Sequence, residues 1–539
     1  MTDLQYEMLK LVLEIDAICK KHGIVYYLTG GSVLGAVRHK GFIPWDDDID
    51  IMMTRQEFEK FQKACETDMA DDREIITMMN TPCHTKVTIK YMNKTTSQFF
   101  RSQVLDTTGC GISLDIMILD PLPRDEKAKE QHIAEYIVYN ELLTPFFMVN
   151  PYLYKCVPMY KKLHRKAMLV GKEKVMGELY RHLFADEPAE SDYYLYRWGQ
   201  QLLIYERSLM GKPHYMEFEG HMLPVPERAL DFLRATYGDS WIYLPPEQQR
   251  ETHVSNVSAT IAYCNWLKDI DPFLDRPKVL RDFVRRKRRN VNKAVPAHNA
   301  DVNNYRQYAI LKQLEFEMAE CYRSEVLAAM DDRQLLDHVR DYLSHQLSGG
   351  FFKNQIYIDI PDAALEVILA AMIRVGDYPK ADKILKLRRE IGREMPAALT
   401  QLHGLVGDIR KTVSYFEDRR VFPEEVQSLE EMAPFVMELL KKNPYQINLH
   451  RCVLELYDLL EDVPEEDILA AVAAAVAAYP DDTEIAFWAG CLYQKLGRAD
   501  EADAMLEAAT ATTNGMILFR LSELGFPKTM EGMEGTEND

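Results

Sequence analysis

The alternation of apolar and polar positions divides the chain into a mixed N-terminal part and a helical C-terminal part. Residues 2–22 have the pattern of an amphipathic helix ending at His22-Gly23. Ile24 to Thr29 is β-branched and aromatic, which predicts a short strand. Gly30-Gly31 breaks that strand, and Ser32 is placed to cap a helix over Val33–His39. Asp48-Ile49-Asp50-Ile51-Met52 alternates with period two, which predicts a strand carrying Asp48 and Asp50 on one face. Leu114 to Leu119 is an apolar run interrupted only by Asp115 and predicts a buried strand. The chain changes character after Pro272, and from about residue 303 it reads as helical throughout.

Strand, Gly-Gly turn and helix start leave backbone N–H groups at a positive dipole end, which suits phosphate. Asp48 and Asp50 placed side by side repel, and a bound cation removes the conflict. Hard oxygen ligands favour Mg²⁺ or Mn²⁺. Asp115 in an apolar strand requires a partner, either a metal or proton-transfer role or a salt bridge to a nearby Arg or Lys. Arg38 either takes a phosphate through its planar fork or simply closes a helix with a basic last turn.

Gly30-Gly31-Ser32 with Leu34-Gly35 and Arg38, followed by Ile43-Pro44-Trp45-Asp46-x-Asp48-x-Asp50, resembles the signature of the LicD family, which includes the fukutin-related proteins. Lys90 to Thr96, Gly111 to Ile118, Pro224-Val225-Pro226, Leu233, Tyr237 to Trp241, Pro245-Pro246, Arg250 and His253 continue the resemblance, which covers roughly residues 1–265. The segment from Pro121 to Glu219 carries no recognisable motif. The resemblance implies an α/β (α+β) nucleotidyltransferase-like domain with a mixed sheet. It implies transfer of a phospho-alcohol, phosphocholine or a polyol phosphate, from a CDP-linked donor to a hydroxyl of a cell-surface glycan precursor, with CMP leaving. In that reading Asp46, Asp48, Asp50 and Asp115 form the Mg²⁺ or Mn²⁺ site, and Asp115 either completes it or accepts the hydroxyl proton. Gly30, Gly31, Ser32 and Arg38 hold phosphate. A choline group calls for aromatic faces, and aromatic residues cluster in Tyr193 to Trp198 and Tyr237 to Tyr243, either as a cage or as ordinary core and surface. Two rival readings are a nucleotide-sugar glycosyltransferase using the Asp-x-Asp site, and a partner-binding scaffold whose catalytic half is inactive.

The net charge of −20 excludes the whole molecule as a nucleic-acid binder. Nine cysteines without a CxxC pair, and an N-terminus unlike a signal peptide, predict a cytoplasmic chain that works on cytoplasmic precursors or at the inner membrane face, and the longest apolar run, Ile468 to Tyr479, is too short for a transmembrane segment. Residues 266–302 form a basic linker in which Arg281, Arg285, Arg286, Lys287, Arg288, Arg289 and Lys293 stand out. They either meet an anionic glycan, a lipid-linked acceptor or a phospholipid surface, or form a solvated helix between domains. Residues 303–526 resemble an all-α tetratricopeptide-type domain, with repeat turns at Gly376, Gly407 and Gly497. Such repeats imply a groove for a protein partner or for placing the acceptor. Residues 527–539 read as a disordered tail.

Overall fold

The structure is a computed structural model. It describes residues 1–77, 89–99, 109–143, 156–185, 190–198, 201–246, 250, 256–265, 277–278, 281, 284–285, 288–289, 324–339, 361–390 and 392–526. His253, Arg286, Lys287, Lys293, the start of the helical region at 303 and the tail 527–539 lie outside the described residues. The chain forms two compact units, Met1–Tyr237 with Pro245–Ala300, and Gly238–Leu244 with Asp301–Asp539.

The first unit opens with helix α1 (Asp3–His22). Its N-terminus is closed by a reciprocal pair, Gln5 N–H to Thr2 Oγ1 and Thr2 N–H to Gln5 Oε1, and Gly23 ends it at φ +64°. The buried Met8, Leu11, Val12 and Ile15 lie on its packed side, and the helix meets β4, β6 and α3. The sheet contains β1 (Tyr27–Leu28), β2 (Asp50–Thr54), β3 (Arg73–Ile76), β4 (Ile89–Asn93) and β6 (Ser113–Leu122), in the order β1-β2-β6-β4-β3. Only β2 and β6 run parallel within this path, so the sheet is mixed. The far half of β6 also pairs with β7 (Tyr193–Trp198), which pairs with β8 (Gln201–Glu206). β5 (Ser97–Phe99) pairs with β11 (Asn256–Ser258), and β9 (His214–Phe218) with β10 (His221–Val225). Helices α2 (Gly30–His39), α3 (Arg55–Asp68), α4 (Glu126–Leu143), α5 (Val157–Val170), α6 (Lys172–Phe184) and α7 (Ala229–Tyr237) complete the unit.

Three local expectations are corrected here. The strand over Ile24–Thr29 contracts to β1, because Ile24 N–H is taken by Cys19 O at the end of α1 and Val25 N–H by Glu57 Oε2. The following helix begins earlier than expected. Thr29 is its N-cap, and Ser32 lies inside its first turn. The Asp48–Met52 strand begins instead at Asp50, leaving Asp48 exposed in the preceding loop.

The second unit is helical, as a tetratricopeptide-like region should be. Asp362–Arg374 and Tyr378–Glu390 flank a turn at Gly376, and Thr483–Lys495 and Ala499–Ala509 flank one at Gly497. Both glycines have positive φ, +88° and +72°, which a side chain would strain. The turn expected at Gly407 does not exist. Gly407 lies within the single helix Ala397–Val421, which packs Val406 and Ile409 into the helical core. The segment Gly238–Leu244 is built into this unit. Leu244 N–H donates to Thr513 O (2.7 Å), Gly515 N–H to Ile242 O (2.9 Å), and Arg410 bridges Asp239 and Asp382. Among the described residues no helix is long and apolar enough to cross a membrane.

Candidate active site

The site is assembled where β1, β2 and β6 meet the start of α2. Thr29 N–H donates to Asp50 O (3.0 Å) and Asp50 N–H donates to Ser32 Oγ (2.9 Å), so the first turn of α2 is tied to the edge of β2. Ser32 N–H is taken by Thr29 O (3.0 Å). Its contribution is therefore the hydroxyl that fixes Asp50, a correction to its expected role as a cap and as an amide donor to phosphate. The amides of Gly30 and Gly31 begin the helix ahead of it, at its positive end. A Cβ on Gly31 would lie 2.8 Å from Asp46 Oδ2, so a side chain there would displace that carboxylate. Gly30 has φ +53°, and a Cβ on it would sit 3.7 Å from both Asp50 Oδ2 and the Tyr237 hydroxyl. These distances place Tyr237, at the end of α7, beside Asp50.

Parallel pairing sets Asp50 opposite Asp115, and antiparallel pairing sets Lys90 opposite Asp115. Register partners share a face, so two carboxylates and one ammonium lie on one side of three adjacent strands. Lys90 is almost fully buried. Its Nζ is 2.8 Å from Asp115 Oδ1 and donates to Ser113 Oγ at 2.9 Å. Asp115 thus has the salt bridge, and it faces Asp50 as well. Asp46, Asp47 and Asp48 follow in the loop, and one ligand oxygen from each falls within 4.8 Å of the others.

The electrostatics follow from this crowding. Burial pushes the Asp46 carboxyl up to about 8, with Asp48 and Asp47 adding to the effect. Burial also raises Asp50 well above the usual carboxylate range. Asp48, Asp115 and Asp46 push it further, and Lys90 opposes them. Burial lowers Arg38 to about 10, and Arg250 lowers it further, while Tyr237 and Asp46 hold it up. Two guanidiniums therefore flank the acidic loop. Arg250 also lies 4.7 Å over the ring of Trp45. Hard, mutually repelling oxygens beside two arginines and a helix N-terminus fit a divalent cation with a phosphorylated ligand.

All eight expected site residues come to one region, with Ser32 holding Asp50 through its hydroxyl and Asp48 in the loop ahead of the strand. Sequence reasoning missed Asp47 and Lys90 as members, and named Tyr237 only within an aromatic cluster that could form a cage. Lys90 was legible as a charge inside the apolar strand run Ile89 to Met92, but nothing local names Asp115 as its partner. Of the aromatic clusters, Tyr196 and Tyr237 approach Asp50. Tyr196 stacks on Tyr205 at 5.6 Å, and Tyr243 belongs to the helical unit through Glu484. On the opposite face of β6, Ile116 and Ile118 line a separate cavity of about 540 Å³ with Tyr136, Tyr139, Tyr180 and Arg197.

Comparison with known proteins points to the same region. The family described as LicD/FKTN/FKRP, nucleotidyltransferase domain, matches residues 23–141. The lipopolysaccharide cholinephosphotransferase LicD of Haemophilus influenzae is 27% identical over 268 residues, covering 46% of this chain and 94% of that protein. An uncharacterised protein of Rickettsia typhi is 39% identical over 54 residues, and the chain spans 18% of its length.

Proposed function

From a chain that carries a LicD-family nucleotidyltransferase domain over residues 23–141, we propose a phosphotransferase acting on a surface-glycan precursor. It moves phosphocholine or a polyol phosphate from a CDP-linked donor to an acceptor hydroxyl. The observation that carries this reading is the pairing of Asp50 with Asp115 across parallel strands, beside the glycine start of α2 and the acidic loop 46–48.

Asp46, Asp48 and Asp50, beside Asp115 on the adjoining strand, are the residues to hold Mg²⁺ or Mn²⁺. Bound there, the cation supplies positive charge against the donor's diphosphate. Arg38 and Arg250 balance the remaining phosphate charge, and the Gly30 and Gly31 amides bind phosphate oxygens at the helix start. The acceptor hydroxyl oxygen forms the new bond to the phosphorus bearing the alcohol. The bond from that phosphorus to CMP breaks, CMP leaves, and the hydroxyl proton passes to Asp115. Lys90 positions Asp115 for this through their 2.8 Å pair. Transfer of this kind depends on positioning and charge neutralisation more than on covalent help. The helical unit serves to recruit a protein partner or to place the acceptor.

A thermal-shift panel tests the reading. With Mg²⁺ present, CDP-choline, CDP-ribitol and CDP-glycerol are compared with UDP- and GDP-sugars. A ligand at about 100 times its Kd stabilises by ~2.7 kcal/mol. The expected result is stabilisation by one CDP-linked compound, with turnover abolished in Asp48→Asn at unchanged fold. A response to nucleotide sugars alone moves the answer to glycosyl transfer, and Asp48→Asn with full turnover removes the metal-site assignment.

A further inference from the structure

Helices α5 and α6 form a hairpin whose base and tip differ sharply. On the packed side, Val157 and Tyr160 of α5 and Val175, Met176, Leu179 and Leu183 of α6 pack with Ile137, Val138, Tyr139 and Leu142 of α4, and Leu163 and Ala167 of α5 lie partly buried against them. Beyond Tyr160 no residue of α5 is buried, although the helix continues to Val170. It ends in Met168, Leu169 and Val170, which are 73%, 85% and 46% exposed. Among the described residues this is the one run of three consecutive large apolar side chains in the open. None of these three side chains belongs to the hairpin's core.

The charge around the tip identifies what covers it. Between Val157 and Lys174 there are six Lys or Arg residues (Lys161, Lys162, Arg165, Lys166, Lys172 and Lys174) against the single acid Glu173, in a chain of net charge −20. Lys166 also pairs with Glu178 on α6. Arg288, from the basic segment that follows the catalytic region, acts electrostatically on Tyr160 of α5, and the described residues Arg281, Arg285, Arg288 and Arg289 are exposed. An apolar tip ringed by long basic side chains matches a lipid interface, where the apolar residues enter the acyl boundary and the ammonium groups stay with anionic headgroups. A protein groove would match the apolar tip but would not explain the basic ring.

We propose that the α5–α6 hairpin docks this protein on an anionic phospholipid surface, with Met168, Leu169 and Val170 inserted and Lys161, Lys162, Arg165 and Lys174 against the headgroups. The inference stands apart from the transfer reaction and does not require it.

Sedimentation of the full chain with phosphatidylglycerol-containing vesicles, against pure phosphatidylcholine vesicles, tests it. Binding is expected to the anionic vesicles only and to weaken with salt. Each basic residue near the surface contributes about fivefold in partition. Met168→Ser with Leu169→Ser is expected to lower partition by at least about tenfold, from the loss of apolar burial. The melting temperature should stay unchanged, because both side chains are exposed. Lys161→Glu with Lys162→Glu gives a second, charge-based variant. The proposal is overturned by absence of binding to anionic vesicles, or by undiminished binding of the serine variant. It is equally overturned if the tip proves to mediate self-association that the serine variant abolishes.

Discussion

Raising the pH in the absence of a divalent cation should destabilise the catalytic unit, and the carboxylate loop fixes the size of the effect. Asp46 stands at about 8 in the folded protein against 3.8 for a free aspartate. A folded value above the unfolded one means that the folded state binds the extra proton. The stability from that proton is complete below the unfolded value and is lost as pH rises through the folded one. Within that window the loss is about 1.4 kcal/mol per pH unit. From about pH 5 to pH 8 this is on the order of 4 kcal/mol for Asp46, and Asp50 moves in the same direction. For a unit of this size roughly 2 °C accompany each kcal/mol, so the melting temperature should fall by roughly 6–8 °C. The assay is a melting series in chelator across that range, for the parent and for Asp46→Asn. The variant resembles the protonated form, so it should lose part of the slope and should be more stable than the parent at pH 8. Adding Mg²⁺ at pH 8 should restore the parent's stability and do much less for the variant. Identical pH profiles for parent and Asp46→Asn, or a Mg²⁺ effect that does not grow with pH, would refute the reasoning.

Two further outcomes follow from buried pairs. Lys90→Met removes the ammonium from Asp115 and Ser113 and should destabilise by about 2 kcal/mol, since it leaves a half-buried carboxylate without its partner. Denaturant titration checks this, and the activity of the folded fraction should fall as Asp115 loses its positioning. Arg55 holds the fully buried Asp120 through two hydrogen bonds (2.6 and 2.8 Å) and stacks 3.7 Å over Phe184. Arg55→Ala should therefore cost about 3–5 kcal/mol in the same titration, with Arg55→Lys recovering only part because an ammonium cannot reproduce the bidentate fork.

Much of the architecture was legible because it is written in near neighbours. α1 was readable from its helical spacing and its glycine stop, and β6 from its apolar run around Asp115. The turns at Gly376 and Gly497 were readable because both need the left-handed conformation. Gly407 misled for the same reason. A glycine in a repeat-like context signals a turn, yet the flanking residues have enough helical spacing to run straight through it, and packing of Val406 and Ile409 decides the matter. Ser32 misled because a serine after two glycines is a natural cap, whereas Asp50 N–H offered its hydroxyl a better partner across the strand.

The sequence by itself determined which residue types the site would contain. Glycines, aspartates and a basic helix end within one short stretch are groups that phosphate and hard cations would satisfy together. Tertiary structure alone decided how they combine. It placed Asp48 outside β2, brought Lys90 to Asp115 and Tyr237 to Asp50, and put Gly238–Leu244 in the helical unit. Those choices depend on strand register and on which buried donors find acceptors, both set by contacts between residues far apart in the chain, and local propensity carries no information about either.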